Sequence, residues 1–346
     1  MPHLPALQRR RLLQLAASGA AALAAPAVFA QTLTPIRFTL DFRISGQVAP
    51  FFVALYKGYY KAEGLDVSFD VGNGSVAAIT RVASGAYDMG FGDISALIEF
   101  AASQQGASPV RAVYQYYNRA PFAIIGRKDR GIDGSFKSLA GKRIAAAAVE
   151  STRRAWPMAA KHAGMPVDAF SWVTTDFSQR DNVIVRGDAD GATYFHDSAL
   201  SLFQRIEPAK LSVLAFADSG LDLYGNAILA SSKLIKANPE AVKAFLRATN
   251  RALLETIANP AAAMAYVKQR EPMVDEKTET ERFGITARYV AMPDTRTHGL
   301  GDVKKALVEQ QIAEVSRTYA LKAAPPADAI YDMSFLPPLA QRMLKA

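Results

Sequence analysis

The sequence predicts an α/β protein in which mostly parallel sheets are flanked by helices. Three observations predict it. Short β-branched and aromatic segments alternate with helical ones from residue 36 to residue 230. The stretch TLDFRISGQVAPFFVALYKGYYKAEGLDVSFDV, 39–71, holds nearly all of a strand–helix–strand unit. Beyond Gly225 the texture changes to long amphipathic helices.

Taken in order, 36–42 is rich in β-branched and aromatic residues and reads as a strand. A polar loop, 43–47, leads to a helix over 49–63, with Pro50 tolerated in its first turn and Gly64 as its stop. A second strand covers 65–71. Further strands are expected at 87–91, 110–117, 122–126, 143–148, 171–175, 191–195, 211–217 and 226–230. Helices are expected at 75–84, 94–105, 152–163, 179–186 and 198–205. Asn238-Pro239-Glu240 supplies a cap, a first-turn proline and a first-turn acid, and Val242, Phe245, Leu246, Leu253 and Ile257 then mark one apolar face. Asn259-Pro260 ends that helix and starts another, and 281–290 and 303–321 read as two more. These apolar faces are core packing.

The N-terminus reads as an export leader. Arg9, Arg10 and Arg11 precede an apolar run, 12–25, too short to span a bilayer, and Val28-Phe29-Ala30 fits cleavage near Ala30. The pair Arg9-Arg10 with Leu12-Leu13 fits a twin-arginine leader; an ordinary secretory leader with three arginines fits as well. The expected localisation is periplasmic. The formal charge is +8, and without the three leader arginines 37 basic residues face 32 acidic ones. No dense basic run with interleaved aromatics appears, which argues against nucleic-acid partners. There is no cysteine, so disulfides, thiolate metal sites and cysteine nucleophiles are excluded.

The words GYYKAEGLDV, 58–67, and SGAYDMGFGDIS, 84–95, resemble the solute-binding proteins of the nitrate/sulfonate/taurine and thiamine-pyrimidine-precursor family of ABC importers. The resemblance implies a two-lobed periplasmic-binding-protein clamshell of type II. By it, residues 31–119 plus 227–346 form lobe one and 120–226 lobe two, with the hinge near 119–121 and 225–226. It also implies a monomer that captures a small-molecule solute and docks on a membrane permease, with no cofactor and no metal.

In such sheets ligands gather beyond the carboxyl ends of strands, where helix N-termini also point. The strand-to-helix junctions therefore nominate Asp41, Phe42 and Arg43, the Gly72–Ser75 turn through Asn73 and Gly74, and Asp93 and Ser95. Asp93 also reads as a helix cap. Tyr117 and Asn118 close the fourth strand, and Ser151, Thr152 and Arg153 open the first helix of lobe two. In the family the turn after the 191–195 strand lines the cleft, which adds Tyr194 and Asp197, and Tyr224 stands at the return crossing. Asp41, Asn118, Thr152 and Asp197 are expected to face one cleft. Arg43 and Arg153 suit an anion; Asp41, Asp93, Glu150 and Asp197 suit a heterocycle with donors, and tyrosines near the junctions suit its flat face.

Of the four histidines, His3 lies in the leader. No His-Glu-x-x-His motif, no Gly-x-Ser-x-Gly elbow and no phosphate-binding Gly-Lys-Ser/Thr loop is present. Fungal pyrimidine synthases share the fold expected here, but they carry a cysteine-rich motif that this chain lacks. The sequence therefore predicts a binding protein rather than an enzyme, with a sensor that docks on a signalling partner as a third reading.

Overall fold

The computed structural model describes residues 32–344. The leader and its cleavage site lie outside the described residues. Ten strands, β1 (Thr34–Thr39), β2 (Leu65–Asp70), β3 (Met89–Asp93), β4 (Val110–Gln115), β5 (Phe122–Arg127), β6 (Arg143–Ala146), β7 (Ser171–Thr174), β8 (Gly191–Phe195), β9 (Leu211–Ala215) and β10 (Asn226–Ser231), form two five-stranded sheets. The first has the order β2-β1-β3-β10-β4 and the second β7-β6-β8-β5-β9.

Both sheets are mostly parallel, as expected, with one reversed strand in each. β1 is parallel to β2 and β3, but β10 runs antiparallel between β3 and β4. β6 is parallel to β7 and β8, but β5 runs antiparallel between β8 and β9. The reason is the connectivity. β5 enters the second sheet from β4, and β10 returns from β9, so each enters its sheet against the direction of the β-α-β units already there.

The crossings lie side by side. Ala120 N–H donates to the Leu223 carbonyl at 2.7 Å and Gly225 N–H to the Tyr117 carbonyl at 3.0 Å. After β10 the chain forms the helices Pro239–Ala258, Pro260–Arg270, Glu276–Val290 and Lys305–Thr318. Asn238 and Asn259 cap the first two through Ala241 N–H and Ala262 N–H. The expected helix over 49–63 is two pieces, Ala49–Tyr56 and Tyr59–Ala62, because Gly58 takes a φ of 73° between them. The expected 198–205 helix is a single short turn, Leu200–Phe203, after a 3₁₀ turn at His196–Ala199.

Two large apolar clusters carry the fold. One gathers Phe38, Phe51, Phe52, Phe69 and Phe245 beneath the first sheet. Another joins the halves, with Leu97 and Leu229 of the first and Phe122, Trp156 and Phe216 of the second. No helix among the described residues is long and apolar enough to cross a membrane.

Candidate functional site

The carboxyl ends of β1, β6, β7 and β8 converge on a cavity of about 40 Å³, lined by Asp41, Phe42, Gln47, Gly74, Ser75, Glu150, Ser151, Phe177, Arg180, Phe195 and Ser198. Asp41 and Phe42 follow β1, whose parallel pairing with β2 sets Thr39 opposite Asp70. Two backbone hydrogen bonds then knit the loops beyond those strands: Gly74 N–H to the Asp41 carbonyl at 2.6 Å and Gly72 N–H to the Phe42 carbonyl at 3.2 Å. At Gly72 a Cβ would collide with the Leu40 carbonyl oxygen, so only glycine permits this approach.

From the second sheet come the groups beyond β6, β7 and β8. Glu150 precedes the helix Ser151–His162. It pairs with Arg180 at 2.6 Å, and both side chains are buried. Its other oxygen accepts from Thr193 Oγ1 at 2.7 Å. The Arg180 guanidinium lies 3.8 Å from the Tyr194 ring centroid, and its Nε is buried with no partner. Phe42 meets Phe177 edge to face at 5.2 Å, so a ring from each half meets across the cavity.

Electrostatically the site is a buried acid beside a neutralised ion pair. Burial pushes Asp41 from the usual carboxylate range to about 7, opposed by the hydrogen bond from Asn226 Nδ2 to its Oδ2 at 2.6 Å. Burial also raises Glu150 despite Arg180. The lining residues include no lysine, histidine or cysteine.

Of the residues nominated from sequence, Asp41, Phe42, Gly74 and Ser151 line this cavity. The others stand elsewhere, each for a physical reason. Arg43 is exposed and rests on the Phe42 ring, 5.4 Å from its centroid, and Asn73 is exposed at the turn. Asp93 caps the helix Ile94–Ser103 through Ala96 N–H at 3.0 Å, and burial lifts its carboxyl to about 7. Ser95 accepts from Gln311 Nε2 at 3.1 Å. Thr152 donates to the Tyr194 carbonyl at 3.3 Å, and Tyr194 turns its hydroxyl to Asp181 at 2.6 Å. Arg153 leaves the cavity to stack on Trp172 at 4.8 Å. Asn118 and Tyr224 line a separate hollow with Asp294 and Lys304.

Tyr117 and Asp197 meet each other. The Tyr117 hydroxyl donates to Asp197 Oδ2 at 2.6 Å, and Thr286 Oγ1 donates to the same oxygen at 2.8 Å. Arg282 donates to the Asp197 carbonyl at 2.7 Å and pairs with Glu279, which accepts from Gly46 N–H at 2.5 Å. This chain of bonds latches the turn after β8 to the helix Glu276–Val290 and to the loop before Ala49. Of Asp41, Asn118, Thr152 and Asp197, Asp41 alone lines this cavity. Its aromatic walls are Phe42, Phe177 and Phe195, not tyrosines. Phe177 and Arg180 follow β7, a strand-to-helix junction like the others, and the same rule applied there points to them. Gln47 and Ser75 adjoin nominated loops, and Phe195 and Ser198 flank Asp197; only packing separates them from their neighbours.

Comparison with known proteins gives three kinds of likeness. The family model described as NMT1/THI5 like matches residues 45–263. Riboflavin-binding protein RibY of Chloroflexus aurantiacus is 32% identical over 249 residues, 70% of this chain and 68% of that protein. A 4-amino-5-hydroxymethyl-2-methylpyrimidine phosphate synthase of Aspergillus parasiticus is 27% identical over 269 residues, 73% of this chain and 76% of its own. Among solved structures, the alkanesulfonate-binding protein SsuA from Xanthomonas axonopodis pv. citri matches with a TM-score of 0.66 at 14% identity, covering 86% of this chain and 98% of that one. The periplasmic nitrate-binding protein NrtA from Synechocystis matches at 0.62 and 14%, covering 88% and 87%. At such identities the structural likeness speaks for the fold, that of two-lobed periplasmic binding proteins.

Proposed function

The chain belongs to the NMT1/THI5-like family, and from that membership we propose that it captures a small planar nitrogen heterocycle between its two halves as the exported binding component of an ABC importer. The observation that carries this reading is the cavity itself. Phenyl rings from both halves flank a buried carboxylate, Asp41, while the nearest lining cation, Arg180, is already matched by Glu150. Rings give a flat ligand an apolar surface to pack on, and a carboxylate oxygen accepts from an N–H donor. A nitrate or sulfonate would meet Asp41 as a like charge once that group ionises.

Solute capture also accords with lobe one as 31–119 plus 227–346 and lobe two as 120–226, closing about the paired crossings. Contacts from both halves to one ligand favour the closed form, which then docks on the permease. The curated relatives include synthases, but the cavity lining offers no lysine amine for covalent chemistry, so we read the site as one that binds without reaction.

The test is a thermal-shift and calorimetry panel on the chain from Gln31 onward, refolded to strip carried solute. Probes are riboflavin, 4-amino-5-hydroxymethyl-2-methylpyrimidine, methanesulfonate and nitrate. A ligand at about a thousand times its Kd stabilises by ~4 kcal/mol. Stabilisation by a heterocycle is expected. Stabilisation by the anions alone overturns the heterocycle, and a folded protein indifferent to all four overturns this ligand class altogether.

A further inference from the structure

One side chain outside the cavity touches both its acid and the crossing between the halves. Asn226 is fully buried and is not among the lining residues. Its Nδ2 donates to Asp41 Oδ2 at 2.6 Å, which leaves Oδ1 of Asp41 as the oxygen open to a ligand. Asn226 is also the first residue of β10, where the chain comes back from the second sheet. Its carbonyl accepts from the N–H groups of Tyr116 at 3.2 Å and Tyr117 at 3.0 Å. Gln115 Nε2 reaches the same carbonyl at 3.2 Å and binds those of Tyr117 at 2.6 Å and Gly225 at 3.3 Å. Tyr331 in turn donates to Gln115 Oε1 at 2.7 Å. The outgoing and returning strands are thus tied in one knot, and Asn226 is the member that extends from it to the cavity acid.

We propose that Asn226 is a positioning and specificity-determining residue: it holds one oxygen of Asp41, presents the other to an N–H donor of the ligand, and couples that carboxylate to the crossing strands. The inference deepens the solute-capture reading and rests on it for the ligand class. A carboxamide suits this place because it both donates and accepts. Toward an ionised Asp41 its NH₂ group donates, as seen here. Toward a protonated Asp41 the amide turned over would accept from the acid, and its Oδ1, now buried with no partner, would gain one. In the orientation seen here, donating through Nδ2, Asn226 favours the ionised, accepting form of Asp41.

The other groups facing Asp41 set the background. Asp197, beyond β8, opposes its ionisation. Asp93, paired with Asn226 in the β10–β3 register, and Tyr117, at the end of β4, both sense its charge. Glu150 and Arg180 share the cavity as a matched pair, and Arg43 on the same loop is exposed. Asn226 is the neutral donor among them, and its hydrogen bond acts against the burial that lifts Asp41 toward 7.

Two measurements test this. The first needs no ligand: the protein labelled with ¹⁵N-asparagine is titrated from pH 5 to 9, and the Asn226 side-chain amide, identified by its loss in Asn226→Leu, is followed by NMR. It is expected to titrate with a midpoint near 7 that disappears in Asp41→Asn. A resonance indifferent to pH, or a titration surviving in Asp41→Asn, overturns the proposal. The second is calorimetry with riboflavin and with 4-amino-5-hydroxymethyl-2-methylpyrimidine in the wild type and Asn226→Leu. Loss of the charged hydrogen bond is expected to weaken binding ~10-fold at pH 7 and to move the pH midpoint of binding upward. Unchanged affinity and pH profile overturn the proposal. If neither probe binds the wild type, the heterocycle reading fails, while the amide titration still decides the role of Asn226.

Discussion

At the scale of single residues, buried acids dominate the site. Asp41 must desolvate to sit where it does, and the hydrogen bond from Asn226, with smaller help from the backbone of Asp41 and Phe42, offsets part of that cost. Substituting Asp41→Asn keeps the shape and removes the charge. We expect it to weaken a donor-bearing heterocycle by ~10-fold or more while shifting melting temperature little, read by calorimetry beside a thermal melt. Glu150 and Arg180 behave as a unit. Arg180→Met strands a buried carboxylate and is expected to cost about 3–5 kcal/mol in urea unfolding. The double change to Glu150→Gln and Arg180→Met should recover most of it. A double variant as unstable as the single one would show that Arg180 contributes through its stacking on Tyr194 rather than through charge.

At the scale of elements, the site depends on how closely loops approach one another. The β1 loop lies on the β2 loop because Gly72 has no Cβ to meet the Leu40 carbonyl. Gly72→Ala is expected to destabilise by about 1–3 kcal/mol and to abolish heterocycle binding, since Asp41 and Phe42 ride on the displaced loop. Melting temperature and calorimetry on one sample check both halves of that expectation. The latch on Asp197 is likewise an element-level device. It ties the turn after β8 to the helix Glu276–Val290 without entering the cavity, although Ser198, one residue on, lines it.

For the whole molecule, the latch and the paired crossings decide how the halves stand. Asp197→Ala removes the acceptor shared by Tyr117 and Thr286. We expect small-angle scattering to report a larger radius of gyration for the ligand-free variant than for the wild type; equal radii would remove the latch from the mechanism. Stability should also depend on pH with a definite sign. Asp41 and Asp93 titrate near 7 when folded against 3.8 as the reference value, so between about pH 4 and 7 the folded chain holds protons that the unfolded chain has released. Their contribution is complete below that window and is lost as pH rises through it. Acids held below their ordinary range, such as Asp129, Asp275 and Asp294, act in the opposite sense, but below about pH 4. His196, held low by burial, also opposes, below its ordinary 6.5. Melting temperature is therefore expected to fall from pH 6.5 to pH 8, and by less in Asp41→Asn and Asp93→Asn than in the wild type.

The order of elements and the family were legible in the linear chain. Period-two and helical patterns, the Asn-Pro helix starts and the 58–67 and 84–95 segments are local signals, and local chemistry is what a linear reading weighs. It also put Asp41, Phe42, Gly74 and Ser151 at junctions that line the cavity. The reversal of one strand in each sheet was not legible, because a buried apolar strand such as β5 or β10 reads the same whichever way its neighbours run. Nor was the choice among polar side chains. Asp93, Ser95, Thr152 and Tyr194 had the right chemistry at the right ends of strands, but each found an intramolecular partner. Asp197 and Tyr117 found each other from opposite halves. Only the tertiary structure decided which polar groups were left for a ligand. A buried polar group takes the nearest good partner, and that partner is fixed by packing between segments far apart in the chain.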